Sequence, residues 1–128
     1  MILRTGIDLI EIERLEKLNP NIRQRFLERV FTEGEREDAG EVWATLAGRF
    51  AGKEAVAKAL GCGIGWVAWK DIEIRRGAQG EPVLKLHGNA HKAALELGLD
   101  TWSISISHSR THATAMVVAL GAGSGAPP

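Results

Sequence analysis

Arg49 to Leu60, RFAGKEAVAKAL, reads as part of a long helix, yet it carries a carboxylate and a lysine where a core helix should hold only apolar groups. The pattern predicts a helix from about Val42 to Leu60, closed by Gly61 as a left-handed cap. On a wheel of about 100° per residue with Trp43 at the origin, Leu46, Ala47, Phe50 and Ala57 share its side. Glu54 falls roughly 20° from Trp43 and Lys58 roughly 60° from it. An ionised carboxylate taken from water has to be paired or bound to a metal. One reading is a Glu54/Lys58 ion pair at i,i+4; the other is a functional site facing the same side.

On the N-terminal side, Met1 to Ile7 reads as a strand running into Asp8, with LIEIERLEKL a helix that puts Ile12 and Leu15 inward and stops before Asn19 and Pro20. Asp8 and Glu11 have capping-box spacing, though a cap leaves part of the Asp8 carboxylate open to a metal. A second helix is expected over Asn21 to Phe31, with Ile22, Phe26 and Val30 inward and Arg23, Arg25 and Arg29 forming a basic face, either solvated or docking an acidic partner. Thr32 and Glu35 form a T-x-x-E box opening a short helix across Arg36 to Glu41.

Beyond Gly61, the alternating glycines of GCGIG follow a helix rather than open one and lack the lysine of a phosphate loop, so they read as a connector. Trp66 to Arg76 and Pro82 to His87 alternate as two strands of a hairpin, turned by GAQG. Asn89 to Leu97 is expected to form a helix starting at an Asn cap and ending at Gly98. Thr101 to His108 alternates strictly, with Trp102, Ile104, Ile106 and His108 on one side. His108 is either a hydrogen-bonded structural residue or a cleft residue at the strand's end. His112 to Leu120 returns as a strand, and 121–128 reads as a flexible tail after a domain spanning 1–120. The four tryptophans are expected in the core or at a subunit contact.

At 128 residues the chain suits one small domain. Sixteen basic residues balance sixteen acidic ones, so the bulk charge calls for neither nucleic acid nor an anionic membrane. The single Cys62 excludes an intrachain disulfide and a cysteine-rich zinc site. With no membrane-length apolar run and no signal pattern, the expectation is a soluble, cytoplasmic protein.

GIDLIEIERL near the start, RFAGKEAVAKAL in the long helix and SISISHSRTHATA near the end, with FLERVFTEGE between, jointly resemble the holo-acyl-carrier-protein synthases, the short-chain type of 4′-phosphopantetheinyl transferase. The resemblance covers nearly the whole chain and implies an α+β fold, an antiparallel sheet packed on a long helix. It also implies a homotrimer with active sites between subunits. The implied reaction is Mg²⁺-dependent transfer of 4′-phosphopantetheine from coenzyme A to a serine of an apo acyl carrier protein, releasing adenosine 3′,5′-bisphosphate.

By the same resemblance Asp8 and Glu54 hold Mg²⁺, Lys58 contacts the phosphates, and His108 binds a phosphate or moves the serine proton. Glu54, Lys58 and His108 are then the catalytic set. Arg49, Lys53 and Gly65, in the loop Gly61 to Gly65, join Lys58 and His108 as coenzyme A contacts. Arg14, Arg25 and Arg29 meet the carrier protein. One departure stands out, because Glu33 to Leu46 lacks the lysine that relatives often use for the 3′-phosphate and offers only Arg36. The competing reading is a non-catalytic module that binds acidic proteins through Arg14, Arg23, Arg25 and Arg29. Another is a different Mg²⁺-dependent nucleotide enzyme on the same scaffold.

Overall fold

The computed structural model describes residues 1–124; positions 125–128 of the expected tail lie outside the described residues. Strand β1 (Ile2–Glu11) leads through α1 (Ile12–Glu16), α2 (Pro20–Val30) and α3 (Glu33–Ala39) to the long helix α4 (Trp43–Leu60). A 3₁₀ turn (Trp69–Asp71), β2 (Ile72–Arg76), β3 (Pro82–Leu86), α5 (Gly88–Leu97), β4 (Thr101–His108) and β5 (His112–Gly121) follow. The strands form an antiparallel sheet in the order β1-β5-β4 and a separate β2-β3 hairpin. The α+β architecture of sheet against helices is the one expected.

Helix α4 is the centre of the molecule. Its buried residues include Leu46, Ala47, Ala51, Ala55, Val56 and Ala59, so it is covered on several sides rather than along one stripe. Small residues make this possible. Gly48 and Gly52, one turn apart, leave room for Ile106 and Ile74 of the neighbouring strands. At Gly6 strand β1 crosses so close that an added Cβ would lie 1.8 Å from the Ala55 carbonyl oxygen. The inward alanines of β5, Ala113, Ala115 and Ala119, complete the close contact.

Beneath α4 lies a buried ion pair. Glu35 and Lys53 are both 0 % exposed, with Lys53 Nζ 2.8 Å from Glu35 Oε1. The ammonium also donates to the carbonyls of Trp69 at 3.1 Å and Ile72 at 2.5 Å. Glu35 accepts from the amides of Thr32 and Ile74, both at 2.9 Å, while its own amide donates to Thr32 Oγ1. The expected capping box is therefore present, and it also joins α3, α4, the 3₁₀ turn and β2.

Several expected boundaries move. Strand β1 continues past Ile7 through Glu11, because Gly6, Asp8 and Ile10 keep a period of two and the run pairs along β5 as far as Glu11–His112. Asp8 consequently sits inside a strand, and no Asp8/Glu11 capping box forms; Glu11 caps α1 without a side-chain hydrogen bond. Helix α2 starts at Pro20 because Asn19 caps it, accepting from the Asn21 amide at 2.9 Å. Ile22, expected inward, is exposed, while Arg23 is partly buried over the Trp43 ring.

Trp66 to Asp71 is not strand: the carbonyls of Trp66 and Trp69 accept from the side chains of Asn89 and Lys53, and the extended ladder begins only at Ile72. Asn89 does not cap α5; its side chain donates to the Trp66 carbonyl at 2.6 Å, and His87 holds the cap position. At the C-terminal side, Gly121 closes β5, and the Gly123 amide donates to the Gly98 carbonyl at 3.3 Å. No helix among the described residues is long and apolar enough to cross a membrane.

Lys53→Ala should lower the unfolding free energy by about 3–5 kcal/mol, because it strands a buried carboxylate. Urea unfolding followed by circular dichroism measures this. Lys17→Ala, which breaks the exposed Glu13–Lys17 helix pair, should leave stability nearly unchanged.

Candidate active site

Asp8 comes from β1, and Glu54 and Lys58 come from successive turns of α4. The Gly6–Ala55 contact brings these two elements together immediately beside the three charges. Lys58 Nζ donates to Asp8 Oδ1 at 3.3 Å and to the Ile7 carbonyl at 2.8 Å. No hydrogen bond joins it to Glu54, so the i,i+4 helix pair does not form. The Asp8 backbone carbonyl accepts from Thr114 Oγ1 at 2.8 Å, fixing this part of β1 to β5.

Glu54 is half-buried and has no hydrogen bond or ion pair among the described residues. Burial pushes its carboxyl above the usual glutamate range, the Asp8 charge pushes it further, and Lys58 opposes both. Two acids thus lie near one amine, which of the two bonds to Asp8 alone. The donors are hard oxygens, which suits a divalent cation of the Mg²⁺ type, with waters or substrate oxygens filling the remaining positions. Among the described residues no third His, Cys, Asp or Glu joins them to make a complete protein cage.

His108 stands at the end of β4 on the helix-facing side. The register Ile10–Ala113–His108 puts it two strands across from β1 and two residues beyond Asp8. That separates the two backbones by roughly 12 Å. Its Nδ1 lies 3.2 Å from the Ser109 carbonyl. An open groove of about 540 Å³ borders it, walled by Trp43 and Ala44 of α4 and by Ser109 and Arg110 of the β4–β5 turn. His108 and the carboxylate pair are therefore two ends of a surface and do not touch.

The other expected residues divide. Lys53, expected on the coenzyme A phosphates, is corrected: all three of its protons go to Glu35, Trp69 and Ile72 in the interior. Burial pushes its ammonium toward the neutral form, against the Glu35 charge. Arg49 is 7 % exposed, with an unpartnered Nε, and faces Glu35, Asp38 and Arg76 rather than Glu54. Gly65 lies in an exposed loop past the C-terminal end of α4, the end that carries Lys58. Arg14 on α1 and Arg25 and Arg29 on α2 are exposed and unpaired among the described residues. Arg23 leaves that face, donating to the carbonyls of Glu16 and Leu18.

Sequence reasoning did not identify Trp43 and Arg110 as groove walls, nor Glu35 as the partner of Lys53. The last had a signal: Lys53 falls roughly 40° from Arg49 on the wheel and needs an acid on that buried side.

Comparison with known proteins gives a consistent result. The model of the 4′-phosphopantetheinyl transferase superfamily matches residues 4–117. A holo-[acyl-carrier-protein] synthase of Herpetosiphon aurantiacus is 46 % identical over 126 residues, covering 93 % of this chain and 99 % of its own. The crystal structure of the Helicobacter pylori holo-[acyl-carrier-protein] synthase in complex with coenzyme A superposes with a TM-score of 0.82 at 33 % identity, covering 91 % of this chain and 99 % of that one. The Bacillus anthracis enzyme, in complex with CoA (3′,5′-ADP), gives 0.72 at 38 % identity, covering 91 % and 94 %.

The raised Glu54 carboxyl means that the folded protein holds this proton more tightly than the unfolded chain. Without a cation, this group's contribution to stability is best below the ordinary glutamate range and worsens as pH rises through it. Glu54→Gln should therefore raise the melting temperature of the metal-free protein more at pH 7 than at pH 4, as read by differential scanning fluorimetry.

Proposed function

Because this chain belongs to the 4′-phosphopantetheinyl transferase superfamily, and within it to the holo-acyl-carrier-protein synthases, we propose that it transfers 4′-phosphopantetheine from coenzyme A to a serine of an apo acyl carrier protein. The observation that carries this reading is the Asp8–Lys58–Glu54 cluster, two acids and an amine gathered from β1 and α4. The serine oxygen bonds to the phosphorus nearest the pantetheine, and the bond from that phosphorus to the bridging oxygen breaks. Adenosine 3′,5′-bisphosphate leaves and the serine proton is released.

The chain's own residues divide this work. Asp8 and Glu54 would hold Mg²⁺, which would supply positive charge against the pyrophosphate. Lys58, an exposed point charge on a flexible stem, reaches the phosphates and stabilises the leaving group. His108, beside the groove of Trp43 and Arg110, holds a phosphate at the nucleotide end, where its separation from Asp8 suits binding better than proton transfer in the same subunit. Gly65 permits close backbone approach in the neighbouring loop. Arg14, Arg25 and Arg29 dock the acidic carrier by charge.

The enzyme works as a homotrimer with its sites at subunit interfaces. An apolar outer face supports this assembly: Leu3, Ile7 and Leu9 of β1 and Met116 and Leu120 of β5 are all exposed on one side of the sheet. Such a face, on an edge strand, is costly to leave in water.

Incubation with Mg²⁺, coenzyme A and an apo carrier should add one phosphopantetheine mass to the carrier by mass spectrometry, and Asp8→Ala or Glu54→Ala should cut the rate by 10²-fold or more. An unmodified, well-folded carrier would overturn the reading. Ile7→Glu should shift the assembly from trimer to monomer in light scattering coupled to size-exclusion chromatography; a monomeric parent protein would count against the assembly.

A further inference from the structure

Lys58 stands where a cation would meet Asp8. Its amine has two partners, Asp8 Oδ1 at 3.3 Å and the Ile7 carbonyl at 2.8 Å. Glu54, one turn before it on the same helix, has none among the described residues. The lysine side chain is 54 % exposed, so its stem is only partly packed and can swing. Asp8, by contrast, is anchored through its backbone to Thr114.

The charge balance changes when a divalent cation arrives. Two carboxylates and one ammonium sum to minus one. Replacing the ammonium by a divalent cation brings the pair to neutrality, and an amine left on Asp8 would then face an uncompensated like charge at contact distance. The amine's alternative partner is the co-substrate's pyrophosphate, which needs the positive charge that Asp8 has given up.

We infer that Lys58 and the divalent cation exchange on Asp8: the amine occupies Asp8 while the site is empty and is released to the co-substrate phosphates when the cation enters. This rests on the reading of Asp8 and Glu54 as cation ligands and of coenzyme A as co-substrate. Binding of cation and binding of coenzyme A are then coupled through one side chain, beyond the direct contact between metal and phosphate.

Equilibrium binding tests this without turnover. Mn²⁺ is titrated into the full-length protein by electron paramagnetic resonance, and coenzyme A by calorimetry with and without saturating Mn²⁺, for the parent, Lys58→Met and Lys58→Gln. Both variants should bind Mn²⁺ alone more tightly than the parent. Without Mn²⁺ they should bind coenzyme A about as well as the parent, whose lysine is engaged on Asp8. With Mn²⁺ they should bind it less well, so the factor by which Mn²⁺ tightens coenzyme A falls roughly five-fold or more. An equal loss of coenzyme A affinity with and without Mn²⁺, or unchanged Mn²⁺ binding, overturns the exchange while leaving the functional reading intact. A parent that binds neither Mn²⁺ nor coenzyme A overturns both.

Discussion

The buried contact between Lys53 and Glu35 is the interaction on which the rest of the structure depends. A full ion pair at 0 % exposure is unfavourable unless every donor and acceptor finds a partner. Here the requirement is met: the ammonium has three acceptors, and the carboxylate serves two backbone amides besides the ammonium. Because those partners come from α3, α4, the 3₁₀ turn and β2, satisfying the pair fixes four elements at once. A hydrophobic pair of the same volume would fill the space but would leave two amides and two carbonyls without these partners.

Lys53 and Glu54 are consecutive, and a helix sends consecutive side chains about 100° apart. The same dipeptide therefore divides between two tasks. Lys53 turns to the hairpin side and is consumed by structure, and Glu54 turns toward β1 and is left half-buried without a partner. Lys58 returns near the side of Glu54 but bonds across to β1. Rigidity on one side of α4 thus supports electrostatic tension on the other.

The sequence shows much of this architecture and little of its cross-chain pairing. The strict alternation of Thr101–His108 and the left-handed cap at Gly61 were legible because each is set by local geometry. The strand status of Asp8 was not: LIEIERLEKL fits a period of 3.6 as readily as of two, and pairing with β5, more than a hundred residues away, decides between them. Glu54 was correctly marked as a carboxylate out of place. Lys53 was misassigned because a T-x-x-E box accounts for Glu35 locally and hides its second oxygen and its lysine partner. Trp66 to Asp71 failed as strand because side chains take two of its carbonyls, Asn89 that of Trp66 and Lys53 that of Trp69.

The missing side chain at Gly6 has a further consequence. Any carbon there would collide with the Ala55 carbonyl and force β1 away from α4. Asp8 lies two residues along that strand, and Glu54 directly precedes Ala55 on the helix. Gly6 therefore works as a caliper: the spacing of β1 and α4, and with it of the backbones that carry Asp8 and Glu54, is gauged by a hydrogen atom two residues from the first of these charges.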